Sequence, residues 1–333
     1  METVTYSRIG SLDIQLDLYI PHNLPLGRRP AIVHFHGGGM IGGSRKSLFF
    51  LQWLRDAALK HGILFISADH RLLIPSTAFD IIEDVKTLFT FLADPCFSRT
   101  LLPKGTSLDA TRIAVSGESG GGYAARAAGI YAQPRPAAIF LQYAMGGQLL
   151  DDHWLAVKEG PLEPSVENIT AEAFSELLTQ PQEPISYDLI PSPGDKAPNG
   201  ASRRCMLLLL WWETGELLDY ILGAKISKSL RSILPNERAD AVPAALRLAI
   251  LQTQITSDFP PTFLYHGKDD TLILPAESEL TYNQLRSLGI EAELHLLEGA
   301  SHTLMDAHDP SRLTAGAEVL RGKAFEFLLS KLL

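Results

Sequence analysis

Apolar runs that stop at glycine or turn residues, most of them followed by apolar positions three and four apart, recur along the chain and predict alternating strands and helices. Leu12, Ile14, Leu16 and Leu18 alternate with polar positions, so "TVTYSRIGSLDIQLDLYIP" (3–21) reads as an antiparallel hairpin. Six further runs read as core strands: "AIVHFHG" (31–37), "ILFISAD" (63–69), "RIAVSG" (112–117), "AAIFLQYA" (137–144), "PTFLYHG" (261–267) and "AELHLLEG" (292–299). Near-continuous apolar strands are what a mostly parallel sheet needs when helices cover both faces, so the predicted class is α/β. Between strands, Ala78, Ile81, Ile82, Val85, Leu88, Phe89 and Leu92 form one helical stripe. "AGAEVLRGKAFEFLLSKLL" (315–333) reads as a similar closing helix.

From about Gly147 to Asp258 the alternation stops: helical stretches and the Pro/Gly-rich patch "PSPGDKAPNG" (191–200) replace strands. The expected division is an α/β core of residues 1–146 and 259–333 with a helical lid, 147–258, inserted into it. "CMLLLLWWETGELLDYILGAKI" (205–226) is its most hydrophobic element, too apolar all round for an exposed helix. Its residues Leu207 to Trp212 read as packing the lid onto the core, and some of them, Trp211 and Trp212 foremost, as lining an apolar substrate pocket.

Composition narrows the function classes. The 333 residues are 46% hydrophobic and 20% charged, enough to bury a large core. A net charge of -9 with no basic run argues against nucleic acid as partner. Cys96 and Cys205 lack metal-ligand spacing and read as two free thiols. "MLLLLWW" (206–212) is far shorter than the ~20 residues a membrane span needs. The first ten residues have neither a basic start nor an apolar stretch, so the expected location is cytoplasmic, without a membrane partner.

The candidate chemistry begins at Gly117-Glu118-Ser119-Gly120-Gly121, a Gly-x-Ser-x-Gly pattern between a strand and an alanine-rich helix. Small neighbours permit the sharp turn that lifts a serine hydroxyl above the carboxyl edge of a sheet. Upstream, His36-Gly37-Gly38-Gly39 follows a strand directly, with Met40 beside it. Main-chain amides there, with that of Gly120, are able to stabilise the oxyanion of a tetrahedral intermediate. Neither a Walker pattern nor Gly-x-Gly-x-x-Gly is present, which weakens a phosphate-cradle reading. A serine needs a base oriented by a carboxylate. Of ten histidines, His302 in "LLEGASHTLMD" follows the last strand in a small-residue loop; His266 and His36 read as structural loop-formers, and the other seven lack comparable context. "YHGKDDTLILP" offers Asp269 and Asp270, of which Asp270 is the better placed. The order Ser119, Asp270, His302 suits a nucleophile, acid and base carried on successive strand ends.

These segments, "HFHGGG", "ADHRLLIPSTAFDIIEDVKTLFTFL", "GESGGG" and "HGKDDTL…LEGASH", resemble the α/β-hydrolases of the hormone-sensitive-lipase-like esterase group. The resemblance covers most of the chain outside 147–258. It implies the α/β-hydrolase fold, with Ser119 as nucleophile, His302 as base and then acid, Asp270 as its partner, and Gly38, Gly39 and Gly120 as oxyanion donors. Group members commonly carry Asp-Ser-Ala where this chain has Glu118-Ser119-Gly120, and many have an N-terminal cap. The "HGKDD" segment is closer to dienelactone-hydrolase-like and dipeptidyl-peptidase-like branches. The implied activity is cleavage of a medium-sized hydrophobic ester or lactone through an acyl-enzyme, with no metal or organic cofactor. Met40, Glu118, Trp211 and Trp212 are the candidate substrate contacts. Two rivals stay open: lactonisation, acyl transfer or cyclisation by the same residues, and a non-catalytic ligand-binding protein on this fold. The group often pairs through the last strand and helix, which leaves a homodimer open.

Overall fold

The structure, a computed structural model, describes residues 1–47, 51–159, 174–179 and 203–333. The N-terminal segment folds into the expected hairpin, β1 (Glu2–Ile9) against β2 (Leu12–Tyr19). There follow β3 (Gly27–Phe35), α1 (Gln52–Lys60), β4 (Leu64–Ala68), α2 (Ala78–Ala93), α3 (Pro95–Leu101), β5 (Thr106–Glu118), α4 (Gly121–Tyr131) and β6 (Ala138–Gln142). Next, among the described residues, come seven α-helices: α5 (Asp152–Leu155), α6 (Ser175–Leu178), α7 (Arg203–Glu213), α8 (Leu217–Leu222), α9 (Ser227–Leu230), α10 (Arg238–Ala241) and α11 (Ala244–Arg247). The chain closes with β7 (Thr262–Gly267), α12 (Ala276–Ser287), β8 (Ala292–Leu297) and α13 (Ala317–Leu332).

All eight strands join one sheet in the order β1-β2-β4-β3-β5-β6-β7-β8. The hairpin and its junction with β4 are antiparallel; every later pairing is parallel. Alternate strand residues feed two cores. Val33, Phe35, Val115 and Leu141 face α2 and α4, whereas Ile32, Phe65, Phe140 and Phe263 face α1 and α13. This two-sided burial accounts for the near-continuous apolar runs. The parallel order, β4-β3-β5-β6-β7-β8, with helices on both faces, is an α/β-hydrolase architecture.

Local rules hold where they are visible. Helix α2 starts at a capping box in which the amide and hydroxyl of Thr77 donate to Asp80 Oδ2 at 2.7 and 2.9 Å. Strand β5 departs from expectation by starting six residues early, in the polar stretch Thr106–Thr111. There Gly27–Arg29 of β3 pairs with Thr106–Leu108, and Arg28 reaches Asp109 at 2.7 Å. Main-chain pairing and the ion pairs of Asp109 with Arg28 and Arg112 carry this extension, which leaves no apolar pattern.

Between β6 and β7 the described residues contain helices and no strand. The patch 191–200 lies outside the described residues. The stretch 205–226 is two helices rather than one element, broken at Gly215. Its φ of +64° and a Cβ position 2.2 Å from the Leu155 carbonyl oxygen leave room for glycine alone. Helix α7 is buried almost all round, as its composition implies. Its buried Arg204 ties it to the core by donating from Nε to the carbonyl of Ile41 at 2.8 Å and from Nη2 to those of Leu73 and Ile74.

Candidate active site

The carboxyl ends of β3, β5, β7 and β8 converge on one cavity. Strand β5 ends at Glu118, and Ser119 occupies the turn into α4 with φ at +49°, a costly conformation for a residue with a side chain. The turn is held by Ser119 N donating to the carbonyl of Gln142 at 3.0 Å and by Gly122 and Met145 donating to the Ser119 carbonyl. Strained serine backbone and paired carbonyl together aim Oγ away from the sheet.

Ser119 Oγ lies 3.0 Å from His302 Nε2, and His302 Nδ1 lies 2.7 Å from Asp270 Oδ2. With its proton on Nδ1, the imidazole donates to Asp270 and accepts from Ser119. Asp270 is buried; its Oδ1 accepts from the amides of Leu272 and Ile273, each at 3.0 Å, and His266 Nε2 stands 3.2 Å from Oδ2. Burial alone would raise this carboxyl, but hydrogen bonds from His266 and His302 outweigh it and hold the group well below the usual carboxylate range. The neighbouring Asp269 side chain is exposed. Of the adjacent pair it is Asp270 that reaches His302.

The two histidines read as structural have structural contacts. His266 Nδ1 accepts from Ser278 Oγ at 2.7 Å while Nε2 donates to the Ile273 carbonyl at 2.8 Å. His36 stacks on His70 with ring centroids 4.9 Å apart. Burial lowers His34 to about 3, His36 to about 4 and His70 to about 3, so all three rings are neutral beneath the site.

The glycine loop lies directly over the turn. A Cβ at Gly120 would stand 2.5 Å from the main-chain nitrogens of both Gly39 and Met40, a contact that only glycine avoids. The Gly37 amide, by contrast, is engaged with the carboxylate of Glu118. Gly38 serves partly as a turn former, its carbonyl accepting from Ile41 and Gly42.

The cavity above Ser119 has a volume of about 310 Å³, the small end of the ~300–1,000 Å³ range of ligand pockets. Its walls are Gly37 to Gly39, Ser47, Glu118, Tyr143, Met145, Trp154, Cys205, Leu208, Leu209, Trp212, Leu272, Ile273, His302 and Thr303. The indole N–H of Trp212 donates to the His153 carbonyl and that of Trp154 to Glu277 Oε1, each at 2.6 Å. Those groups are therefore satisfied by protein partners. Two expectations are corrected. Trp211 does not line the cavity: it stacks on Tyr220 with centroids 3.8 Å apart. Met40 does not line it either, because its side chain is buried in the core. Leu208 and Leu209 line the cavity from within the stretch Leu207 to Trp212 read as supplying pocket residues, whereas Cys205, about two turns before Trp212 on α7, and Trp154 on α5 are wall residues that the sequence did not single out.

A hydroxyl, an imidazole and a buried carboxylate in this order can move the Oγ proton to Nε2 while Oγ bonds to a carbonyl carbon. Among the described residues no group of three His, Cys, Asp or Glu side chains could hold a metal ion, and no helix is long and apolar enough to cross a membrane.

Comparison with known proteins points the same way. Residues 16–148 match the BD-FAE family. A probable carboxylesterase M8 of Phoma sp. is 30% identical over 264 residues, covering 77% of this chain and 73% of that protein. The non-reducing polyketide synthase mapC' of Penicillium brevicompactum is 26% identical over 98% of this chain, which spans only 15% of the synthase's length. Among solved structures, an esterase of the planctomycete Thermogutta terrifontis with butyrate bound superposes with a TM-score of 0.57 at 18% identity, covering 99% of this chain and 92% of that one.

Proposed function

The chain belongs to the α/β-hydrolase esterases, and we propose that it is a carboxylic ester hydrolase that cleaves a small, uncharged, hydrophobic ester or lactone through an acyl-Ser119 intermediate. The observation that carries this reading is the unbroken chain Ser119 Oγ, His302 imidazole, Asp270 carboxylate, opening on an apolar cavity. Ser119 attacks the carbonyl carbon as His302 Nε2 takes its proton. The oxyanion rests on main-chain amides of Gly38, Gly39 and Gly120. His302 then returns the proton to the departing alkoxide, and the alcohol leaves. A water deprotonated by His302 attacks the acyl-enzyme and releases the acid. Asp270 fixes the imidazole's tautomer and balances its transient positive charge. Residues 147–258 act as the lid that supplies Trp154, Leu208, Leu209 and Trp212 to the cavity.

Substrate charge tests the reading of the pocket. An anionic acyl group entering this cavity would be desolvated among indole and aliphatic groups beside the Glu118 carboxyl. p-Nitrophenyl valerate is therefore expected to be turned over with a kcat/KM at least about tenfold above that of the mono-p-nitrophenyl ester of glutaric acid. Equal values, or a preference for the anionic ester, would contradict an apolar acyl site.

A second reading keeps these residues and changes the acceptor: the acyl group passes to a hydroxyl of a biosynthetic intermediate instead of to water. What favours it is the alignment of nearly the whole chain to one part of a polyketide synthase. Product analysis in the presence of an added alcohol separates the two. Acid as the main product supports hydrolysis; a new ester or lactone as the main product supports the second reading.

A further inference from the structure

Among the described residues Glu118 is the one carboxylate lining the cavity, and the chemistry above does not use it. It immediately precedes Ser119, and its side chain is buried. The carboxyl links three parts of the site. Its Oε2 accepts from Tyr143 Oη at 2.9 Å, and the Gly37 amide at the start of the glycine loop favours its ionised form. Tyr143 in turn sets its ring edge-on against the His302 imidazole, with centroids 5.0 Å apart and planes at 67°. Tyr143 also holds φ at +37°, a strained value for an aromatic residue that persists only where its surroundings over-determine it.

On the reading that Ser119 and His302 perform the chemistry, we propose that Glu118 is a positioning residue: through Tyr143 it holds the His302 imidazole against Ser119, and through Gly37 it holds the glycine loop over the turn. Its second oxygen, Oε1, lies 4.0 Å from His34 Nε2 and has no hydrogen-bond partner among the described residues. The groups that face the carboxyl are His34 from β3, Tyr143 beyond β6, Tyr265 from β7 and Arg321 from α13. His34 is neutral, and Arg321 acts only through its field. Burial consequently dominates and pushes Glu118 up to about 7, against the hydrogen bonds of Tyr143 and Gly37. The direction of the pH effect follows. Above that value the carboxylate accepts a charge-assisted hydrogen bond from Tyr143; below it the neutral acid makes a weaker one, so positioning loosens as pH falls.

The experiment combines Glu118→Gln, Tyr143→Phe and the double variant, each nearly isosteric. Each single change is expected to lower kcat for a p-nitrophenyl ester about tenfold with KM within about twofold, and the double variant to fall no more than about twofold below the weaker single. In wild type kcat/KM is expected to show, as pH falls through about 7, an extra step down of up to about tenfold from protonation of Glu118, and this step is expected to be absent from Glu118→Gln. Losses that multiply to about a hundredfold in the double variant would overturn the proposal. So would an acid limb that Glu118→Gln leaves unchanged, or unaltered kcat with only a lowered thermal midpoint. If Glu118→Gln does not fold, Tyr143→Phe alone decides, since kcat equal to wild type overturns the proposal and a tenfold loss supports it. None of these outcomes touches the assignment of Ser119 as nucleophile, which covalent labelling tests separately.

Discussion

Replacing Ser119 by alanine is expected to lower kcat for a p-nitrophenyl ester by about ten-thousand-fold or more, to the residual rate that binding and main-chain donors alone support. The size of the loss follows from what the hydroxyl does. In the proposed step it is the atom that bonds to the carbonyl carbon, giving its proton to the His302 imidazole 3.0 Å away. The serine's strained φ of +49° is equally accessible to alanine, and Oγ faces the cavity, so the fold should be intact. A thermal midpoint within a few degrees of wild type checks that. Activity within tenfold of wild type would mean that another side chain is the nucleophile.

The second large effect is expected at Asp270. An asparagine there would offer His302 Nδ1 an amide in place of a carboxylate, favour the wrong tautomer, and leave the imidazolium of the transition state uncompensated. The expected loss in kcat is about a thousand- to ten-thousand-fold. Asp269→Asn is expected to leave kcat within about twofold, because that side chain is exposed. The same contrast has a stability counterpart. Burial opposes the Asp270 charge, but His266 and His302 depress its folded-state value below the ordinary one. The stabilisation this provides is complete above the ordinary carboxylate value near 4 and is lost as pH falls through the lower folded value. Acid unfolding curves of wild type and Asp270→Asn should therefore draw together as pH drops. Equal losses of activity at both aspartates would contradict the assignment of Asp270 as the partner of His302.

How far the sequence was legible depended on what kind of interaction holds each part. The strands of the parallel sheet were readable because both faces are buried, so Val33, Val115, Leu141 and their neighbours leave unbroken apolar runs. The first half of β5 was not, since Gly27–Arg29 and Thr106–Leu108 pair through main-chain groups that leave no mark on side-chain pattern. The break at Gly215 lies in a polar interruption of only four residues, Glu213 to Glu216, between apolar runs that read as one element, and the four-residue helices α5, α6, α9, α10 and α11 are too short to show a period.

The proposed reacting groups were legible because glycine and turn residues mark the strand ends on which Ser119, Asp270 and His302 stand. Sequence alone could only favour Asp270 over Asp269. The structure separates them through the turn in which Asp270 Oδ1 receives the amides of Leu272 and Ile273. The walls were the least legible part. Helix α7 is apolar all round, so nothing in its pattern says that Trp212 turns to the cavity while Trp211 turns to Tyr220. Trp154 enters from a different helix altogether, held by Glu277.

Acyl transfer centred on Ser119 is tested most directly by the site at which a fluorophosphonate becomes covalently attached, read by mass spectrometry of the digested wild-type protein and of Ser119→Ala. A single adduct per chain is expected, on Ser119, with no labelling of the variant. An adduct on any other residue, or undiminished labelling of Ser119→Ala, would contradict the assignment.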